Sequence, residues 1–349
     1  MEFKRGSESS IPGMLNSKFT KAIVTGGAGF IGSHIVKRLL KEGLEVISID
    51  NYLSGKRENL QEFRDNPKFQ EIDCDIVDYE KLKKYFEGVD IVFHNAASKK
   101  TICLNDPRRD LEINAKGTFN LLELSRDFGV KKFVHASTGS VYGEGVILPQ
   151  KEDHPLVPTS YYGVSKLAGE KYVKAFNLLY GMNATTLRYF HVYGPKQDFS
   201  DNGGVVSIFT NRILDKKPIT IYGDGTQQRS FTYVDDVVNT NILVSTLSQC
   251  KGREYNCASG INITINQLIG SLFKELGKTT EIKYADWMSG DIKVFDIDNS
   301  RLKSLGFEFK TSFDEGLKKT IDWMKTQIKA VPDLNLSSFD ERFQNQIYY

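Results

Sequence analysis

The sequence predicts an α/β fold in which a doubly wound parallel sheet is covered by helices, with a smaller C-terminal α+β lobe interleaved with it. From Lys21 onwards, short apolar runs rich in β-branched residues alternate with longer segments of helical period. This alternation is typical of parallel strands joined by helices. Beyond residues 194–195 it gives way to a stretch rich in Gly, Asp and Asn. The composition, 40% hydrophobic and 26% charged, excludes disordered and collagen-like chains.

The apolar runs of the first part are predicted to be six parallel strands. Between the first two, Ile31, Ile35 and Leu39 recur at helical spacing and Gly43 supplies a C-terminal stop, so this segment completes a βαβ unit. The six predicted strand segments are 21–25, 44–50, 69–74, 90–97, 131–138 and 183–192.

The second part predicts a lobe built from separate segments, because the chain leaves the sheet and later returns to it. A further strand is expected in REYNCASG (253–260). We expect a main domain at 18–194 with returning segments at about 231–260, and a substrate lobe at 195–230 and 261–330. Residues 1–17 and 331–349 are expected to be terminal extensions.

Charge and cysteine content exclude several classes of function. The net charge is +2, which offers no general footprint for nucleic acid or an anionic membrane. The four cysteines form no CxxC pair and the five histidines show no HxxxH spacing, so neither disulfides nor a metal site is expected. No run of about 18 apolar residues occurs, and the first 17 residues lack a secretory pattern. We therefore expect a cytoplasmic protein.

A glycine-rich turn follows the first predicted strand. Gly26, Gly27, Gly29 and Gly32 lie between that strand and a helix, where glycines let the backbone approach a pyrophosphate at the helix N-terminus. Asp50 ends the second strand 18 residues after Gly32, where an acid accepts hydrogen bonds from an adenosine ribose. Its carboxylate would repel the 2′-phosphate of NADP. The sequence therefore predicts a Rossmann-type NAD site.

A tyrosine and a lysine four residues apart predict an acid/base pair. Tyr162 and Lys166 would share one face of a helix, one turn apart. A free tyrosine titrates near pH 10, and a nearby lysine cation and an oxidised nicotinamide would lower its pKa. The spacing alone also fits a surface tyrosine beside a solvated lysine. The glycine turn and the run Ser137–Ser140 make the catalytic interpretation the stronger one.

Seven motifs together resemble one family. They are TGGAGFIGSH (25–34), DNYLSG (50–55), HNAA (94–97), STGSVYG (137–143), YGVSK (162–166), RYFHVYGP (188–195) and GDGTQQRSFTYVDD (223–236). Over residues 20–325 the chain resembles the extended short-chain dehydrogenases/reductases, in their NAD-dependent nucleotide-sugar epimerase/dehydratase branch. The resemblance implies a homodimer that acts on a nucleotide sugar.

The resemblance also implies roles for individual residues. Tyr162 would be the acid/base, Lys166 would lower its pKa and hold the nicotinamide ribose, and Thr138 would bind the sugar O4. Asn114 would be structural or near the cofactor, and Asp75 would be an adenine contact or a solvated strand-end acid. The expected NAD-binding set is Gly26, Gly27, Gly29, Phe30, Ile31, Gly32, Asp50, Asn51, Asp75, Ile76, Ala96, Ala97, Asn114, Tyr162, Lys166 and Tyr189. The expected substrate-binding set is Ser98, Ser140, His191, Val205, Tyr222, Arg229, Asp291 and Phe295.

Within the family, the residues after Thr138 indicate the reaction. Family dehydratases carry Asp-Glu there and the decarboxylases a Glu, whereas this chain has Gly139 and Ser140. Without a carboxylate to drive elimination, oxidation at C4 and return of the hydride to the other face give 4-epimerisation.

Two further positions favour a neutral, unacetylated hexose. Asp198 stands where glucuronate epimerases of the group carry an arginine, and Phe295 stands where the family limits the sugar's C2 substituent. His191 replaces the family's sugar-adjacent asparagine, either as a substrate contact or as a core histidine. We expect UDP-glucose/UDP-galactose 4-epimerisation. The alternatives are an N-acetylhexosamine or other UDP-sugar epimerase, an NDP-sugar reductase, and a noncatalytic NAD or nucleotide-sugar sensor on the same fold.

Overall fold

The computed structural model describes residues 15–98, 100–287 and 293–330. Its central element is a sheet of seven parallel strands in the order β10-β6-β5-β4-β1-β2-β3. The strands are β1 Lys21–Thr25, β2 Glu45–Asp50, β3 Phe69–Asp73, β4 Ile91–His94, β5 Lys132–Thr138, β6 Ala184–Tyr189, β7 Val192–Tyr193, β8 Ile219–Tyr222, β9 Gln228–Tyr233, β10 Glu254–Cys257, β11 Ile261–Thr264 and β12 Ile282–Ala285. The predicted doubly wound α/β fold is confirmed.

Helices cover both faces of this sheet and build much of the lobe. They are α1 Phe30–Lys41, α2 Tyr79–Lys83, α3 Lys100–Asn105, α4 Pro107–Leu111, α5 Thr118–Asp127, α6 Tyr161–Tyr180, α7 Val205–Leu214, α8 Val234–Thr246, α9 Ile265–Leu276, α10 Ser300–Lys303 and α11 Phe313–Ala330. Short 3₁₀ turns occupy Arg57–Phe63, Gly139–Val141 and Ser248–Cys250, and a π-helical segment occupies Glu112–Gly117. Within the described ranges, no helix is long and apolar enough to span a bilayer.

The strands are buried on both faces, which explains their nearly continuous apolar sequences. In β1, Ala22 and Val24 face the core under α1 and α8, while Ile23 faces the core under α5 and α6. Both cores are fully shielded from water at these positions. A strand covered on both sides must be apolar at every position, and parallel connections impose that arrangement.

The second lobe has its own apolar core. Helices α7, α9 and α11 pack with the three-stranded sheet β11-β9-β7 and the pair β12-β8, and their shared core includes Phe209, Phe231 and Leu268. Between the two parts of this lobe, β9 leads directly into α8 and β10, which return to the large sheet. The lobe is therefore interleaved with the sheet along the chain, as the looser sequence pattern indicates.

Three segments differ from the sequence expectation. Leu15, expected in a terminal extension, is fully buried in the core beneath α1. Leu302 and Phe307, expected in the lobe, belong to that same core. Val192, expected at the end of the sixth strand of the sheet, instead begins β7 (Val192–Tyr193), which pairs with β9 of the lobe. Each segment is short and apolar, so its partner is fixed by tertiary packing and not by its own periodicity.

Candidate active site

A cavity of about 600 Å³ opens at the carboxyl ends of the strands, where the strand order reverses between β1 and β4. Ligands of open parallel sheets bind at this switch point. The predicted residues on its wall are Gly26, Gly29, Phe30, Ile31, Gly32, Asp50, Asn51, Asp75, Ile76, Ala96, Ala97, Ser98, Tyr162, Lys166 and Tyr189. Fourteen of these come from the predicted cofactor set and Ser98 comes from the predicted substrate set.

The glycine turn after β1 forms the floor of this cavity. Gly26 has a φ of +65°, in the left-handed region that favours glycine, and its N–H donates to the carbonyl of Ile49 at 2.8 Å. A Cβ on Gly32 would overlap the carbonyl oxygen of Gly26. Helix α1 begins at Phe30, immediately after this turn, so its free N–H groups offer a site for a diphosphate.

Asp50 lies at the end of β2 with its carboxylate anchored by the backbone. Its two oxygens accept hydrogen bonds from the N–H of Ala28 at 3.0 Å and of Tyr52 at 2.8 Å. Burial raises the pKa of Asp50, while these two N–H groups act to lower it. The carboxylate oxygens retain lone pairs toward the cavity, so Asp50 has the position and chemistry to accept hydrogen bonds from a ribose diol.

Asp75 continues this wall after β3. It accepts hydrogen bonds from the amide of Asn51 at 2.7 Å and from the N–H of Val77 at 2.9 Å, and it pairs with Arg109. Burial acts to raise its pKa, but these hydrogen bonds and the Arg109 charge leave the pKa lower than usual. Asp75 is thus a held carboxylate on the cavity wall rather than a freely solvated acid. We use the name cofactor wall for residues 26–32, 50–59, 75–76 and 95–98.

The acid/base pair lies where β5 and α6 meet. Ser160 caps α6 by accepting a hydrogen bond from the N–H of Gly163 at 3.1 Å, which places Tyr162 in the first turn and Lys166 one turn later. Thr138, the last residue of β5, lies near the Tyr162 phenol and acts to lower its pKa. The buried Lys166 ammonium donates to the carbonyl of Ala136 at 2.5 Å.

Burial is the largest influence on the pKa values of Tyr162 and Lys166. It raises the pKa of Tyr162 to about 12, against the opposing effect of Thr138. It lowers the pKa of Lys166 to about 8, while the charges of Glu170 and Asp110 act to raise it. At neutral pH Lys166 is therefore cationic and Tyr162 is protonated. A base role for Tyr162 requires positive charge beside the phenol, so the predicted lowering of its pKa stays a prediction.

A buried ion pair fixes α6 against the sheet, and sequence reasoning missed it. Glu170, one turn beyond Lys166, accepts from the Ser137 hydroxyl at 2.5 Å and from Arg188 at 2.8 and 3.0 Å. Arg188 also donates to the Tyr142 hydroxyl at 2.7 Å. Arg188 begins the RYFHVYGP motif, and its guanidinium is buried in the core. Its partner lies 18 residues away on another element, which no local pattern reveals.

Ser98 and Asn114 form a buried polar group behind the cavity. Asn114 accepts from the N–H of Ser98 at 3.0 Å and donates to Ser165 at 2.9 Å and Asp110 at 3.0 Å. Of the two, only Ser98 reaches the cavity wall. Asn114 therefore has the structural position that the family resemblance allows for it.

Four side chains form a cluster beside the end of β6, which we name the sugar cluster: Phe190, His191, Arg229 and Phe295. The Phe295 ring meets the edges of His191 at 4.9 Å and Phe190 at 6.1 Å, and the Arg229 guanidinium lies 5.6 Å from its centre. His191 has a φ of +33°. Burial and the Arg229 charge lower the pKa of His191 to about 3, so its ring is neutral.

The other predicted residues do not line this cavity, and they include Thr138 and also His191, Arg229 and Phe295 of the sugar cluster. Gly27 faces Ser48 beneath the turn. Ser140 donates its N–H to the Thr138 hydroxyl at 3.2 Å. Val205 begins α7 immediately after Gly204 of the cavity wall. Tyr222 ends β8 and is exposed. Asp291 lies outside the described residues. Over the described part of the chain, no group of three His, Cys, Asp or Glu side chains could hold a metal ion.

The cavity wall also contains residues that sequence reasoning did not select. They come from the turn after β2, from the end of β4 and from the segment after β7, and include Ser54, Gly55, Lys56, Asn59, Asn95, Lys196, Gln197 and Gly204. The DNYLSG and HNAA motifs pointed to the first two regions. Lys196 joins two of these regions, because its ammonium donates to the Asn59 carbonyl at 2.8 Å and to Glu62 at 2.9 Å.

Comparisons with known proteins agree with this geometry. The profile of the NAD-dependent epimerase/dehydratase family matches residues 22–258. The structure of UDP-glucose 4-epimerase from Thermotoga maritima with UDP-glucose is 39% identical, with a TM-score of 0.84 over 88% of this chain and 100% of that one.

Two further relatives carry other substrates in their names. The UDP-glucuronate 4-epimerase of Thermodesulfobacterium geofontis is 37% identical over 90% of this chain and 99% of its own length. A UDP-N-acetylglucosamine 4-epimerase from Methanobrevibacter ruminantium, in complex with UDP-N-acetylmuramic acid, is 36% identical with a TM-score of 0.84 over 89% of this chain and 99% of that one.

Proposed function

The chain belongs to the NAD-dependent epimerase/dehydratase family, and from that premise we propose that it interconverts UDP-glucose and UDP-galactose. It is a nucleotide-sugar 4-epimerase with NAD as its cofactor. The observation that carries the narrower proposal is that Thr138, Tyr162 and Lys166 come together where β5 and α6 meet, with Gly139 and Ser140 where a dehydratase would need carboxylates.

NAD fits the cofactor wall, because the glycine turn leaves no space for side chains beneath a diphosphate and Asp50 presents acceptor oxygens. When bound, NAD supplies a reversible hydride acceptor for C4 of the sugar. The Tyr162 oxygen takes the proton from the C4 hydroxyl, and Thr138 orients that hydroxyl. The Lys166 cation stabilises the phenolate. Once the 4-keto sugar has turned its opposite face to the site, Tyr162 would return the proton to O4.

Two features support a neutral hexose without a C2 acetamido group. The Phe295 ring is buried and contacts the edges of two aromatic rings. If the sugar C2 lies against this ring, such packed surroundings would tolerate an added acetamido group poorly. Asp198 lies on the cavity wall, 3.9 Å from the Lys56 ammonium. Its negative charge disfavours a sugar that carries a C6 carboxylate.

The direct test is incubation of the purified protein with a panel of nucleotide sugars in the absence of added NAD. The panel comprises UDP-galactose, UDP-N-acetylgalactosamine, UDP-glucuronate and dTDP-glucose, and products are identified by chromatography and mass spectrometry. We expect UDP-glucose from UDP-galactose and slow or no conversion of the others. Preferential conversion of UDP-N-acetylgalactosamine would replace the proposed substrate with the acetylated one.

We also propose that two copies pair through the surface formed by α3, α4 and α6. These helices pack together and expose Leu104, Leu111, Val164 and Tyr172, and the family resemblance implies a homodimer. Sedimentation of the wild type should give a dimer. Leu111→Glu combined with Val164→Glu should give a monomer, because two buried charges would oppose association. A wild-type monomer at micromolar concentration would contradict this assignment.

A further inference from the structure

Asn95 is the first residue after β4 and lies on the cofactor wall. Its N–H donates to the carbonyl of Thr25 at 3.1 Å. Its own carbonyl carbon stands so close to the turn that a Cβ on Gly26 would lie 2.9 Å from it. The backbone of Asn95 is therefore fixed beside the diphosphate turn, and its side chain cannot move far from the cavity.

Among the described residues, only the oxygen end of the Asn95 side-chain amide has a hydrogen-bond partner. The Tyr189 hydroxyl donates to the Asn95 Oδ1 at 3.4 Å, and the same hydroxyl is held by the Asn241 amide at 2.8 Å. The Asn95 Nδ2 is buried and has no hydrogen-bond partner among the described residues. Rotating the amide by half a turn exchanges its two ends but still leaves one polar atom unpartnered.

A buried amide N–H without a partner is costly, because it gives up its hydrogen bonds to water and gains none. Most buried polar groups in proteins are therefore paired, and an unpaired one requires an explanation. This group lies in the wall of a ligand cavity, beside Tyr189 of the predicted cofactor set. An NH₂ group is a donor only and cannot bind a metal ion, so its partner must carry an acceptor atom.

We propose that Asn95 is a cofactor-binding residue whose side-chain NH₂ donates a hydrogen bond to an acceptor oxygen of bound NAD. The Tyr189 hydroxyl contacts the other end of this amide. The proposal rests on NAD as the cofactor and not on the identity of the sugar. It therefore stands or falls separately from the UDP-galactose assignment.

The experiment measures NAD retention in the purified holoenzyme without any sugar. Protein with bound NAD is mixed with excess isotopically labelled NAD, and the rate of label uptake is followed by mass spectrometry after denaturation. The variants are Asn95→Leu, which removes both polar ends, and Asn95→Asp, which keeps the size but replaces the donor with an acceptor. The matched control is Asn241→Leu, which removes the other hydrogen-bond partner of Tyr189 and lies outside the cavity wall.

We expect both Asn95 variants to exchange NAD about ten-fold faster than the wild type, the upper range for one neutral hydrogen bond. The control should stay within about two-fold of the wild-type exchange rate, well below the effect of a lost hydrogen bond. Wild-type exchange rates in both Asn95 variants would overturn the proposal and leave Asn95 an unsatisfied core group. An equal increase in Asn241→Leu would also overturn it, because the effect would then act through Tyr189.

Discussion

The cofactor wall and the sugar cluster are neighbours in the structure but are built in different ways. The cofactor wall consists of turns at the carboxyl ends of adjacent parallel strands, where residues consecutive in sequence, such as Gly26 to Gly32, act together through their backbone. The sugar cluster joins side chains from the two residues after β6, from β9 and from the segment at 295, which lie up to 105 residues apart in sequence and pack through aromatic edges. The predicted cofactor contacts thus depend on local backbone geometry, and the proposed substrate contacts depend on tertiary packing.

The largest expected effect is at the junction of the two regions. Tyr162→Phe should lower kcat about 10³-fold, within the range for general acid–base catalysis, because no other group at this position is assigned the proton transfer. NAD content and UDP-sugar affinity should change little, since the phenol acts mainly in the transition state. The matched control is Tyr161→Phe, the exposed neighbour on the same helix, which should keep full turnover.

The Lys166→Met variant tests whether the positive charge of Lys166 lowers the pKa of Tyr162. The role assigned to Lys166 is that its ammonium lowers the pKa of Tyr162 in the NAD-bound enzyme, so removing the ammonium should raise that pKa. The base form of Tyr162 is the deprotonated one, so the rising limb of the pH–rate profile should move to higher pH. Turnover at pH 7 should fall about 10²-fold. Lys171→Met, which removes an exposed lysine of α6, serves as control. A profile that keeps its position in Lys166→Met would refute the assigned role.

A change in the sugar cluster should alter substrate choice and leave the cofactor wall intact. Phe295→Ser should raise kcat/KM for UDP-N-acetylgalactosamine relative to UDP-galactose about ten-fold, the scale of discrimination by pocket volume. NAD content should not change. The control is Phe309→Ser, which removes a ring that packs on Phe307, outside the sugar cluster. It tests whether loss of another aromatic ring changes the same kcat/KM ratio. An unchanged ratio would mean that Phe295 does not limit the C2 substituent.

The smallest expected effect concerns Lys196, which lies on the cavity wall. Lys196→Met removes the hydrogen bonds from Lys196 to Asn59 and Glu62 across the cavity and should speed NAD exchange about three-fold, as expected for a partly exposed ion pair. Lys37→Met removes a fully exposed pair with the same Glu62 at 3.1 Å and should leave the exchange rate unchanged. Equal rates in the two variants would show that the Lys196 contacts do not retain the cofactor.

Features set by local sequence patterns could be predicted, whereas features set by tertiary packing could not. The strands β1 to β6, the glycine turn and Asp50 could be predicted, because each depends on a local pattern of burial or backbone geometry. The burial of Leu15 and the core role of Leu302 could not, since short apolar segments find their partners only in the folded chain. Asn95 and Lys196 were likewise missed. An unpartnered amide or an ion pair across a cavity exists only after distant elements have come together.

The central claim is that this NAD-dependent epimerase acts on a neutral, unacetylated UDP-hexose because Phe295 closes the space beside C2. It is tested most directly by kcat/KM of the wild-type protein for UDP-galactose and for UDP-N-acetylgalactosamine, measured without added NAD. We expect UDP-galactose to be preferred by about ten-fold or more, on the scale that pocket volume can discriminate. Equal values for the two sugars, or a preference for the acetylated one, would contradict the claim.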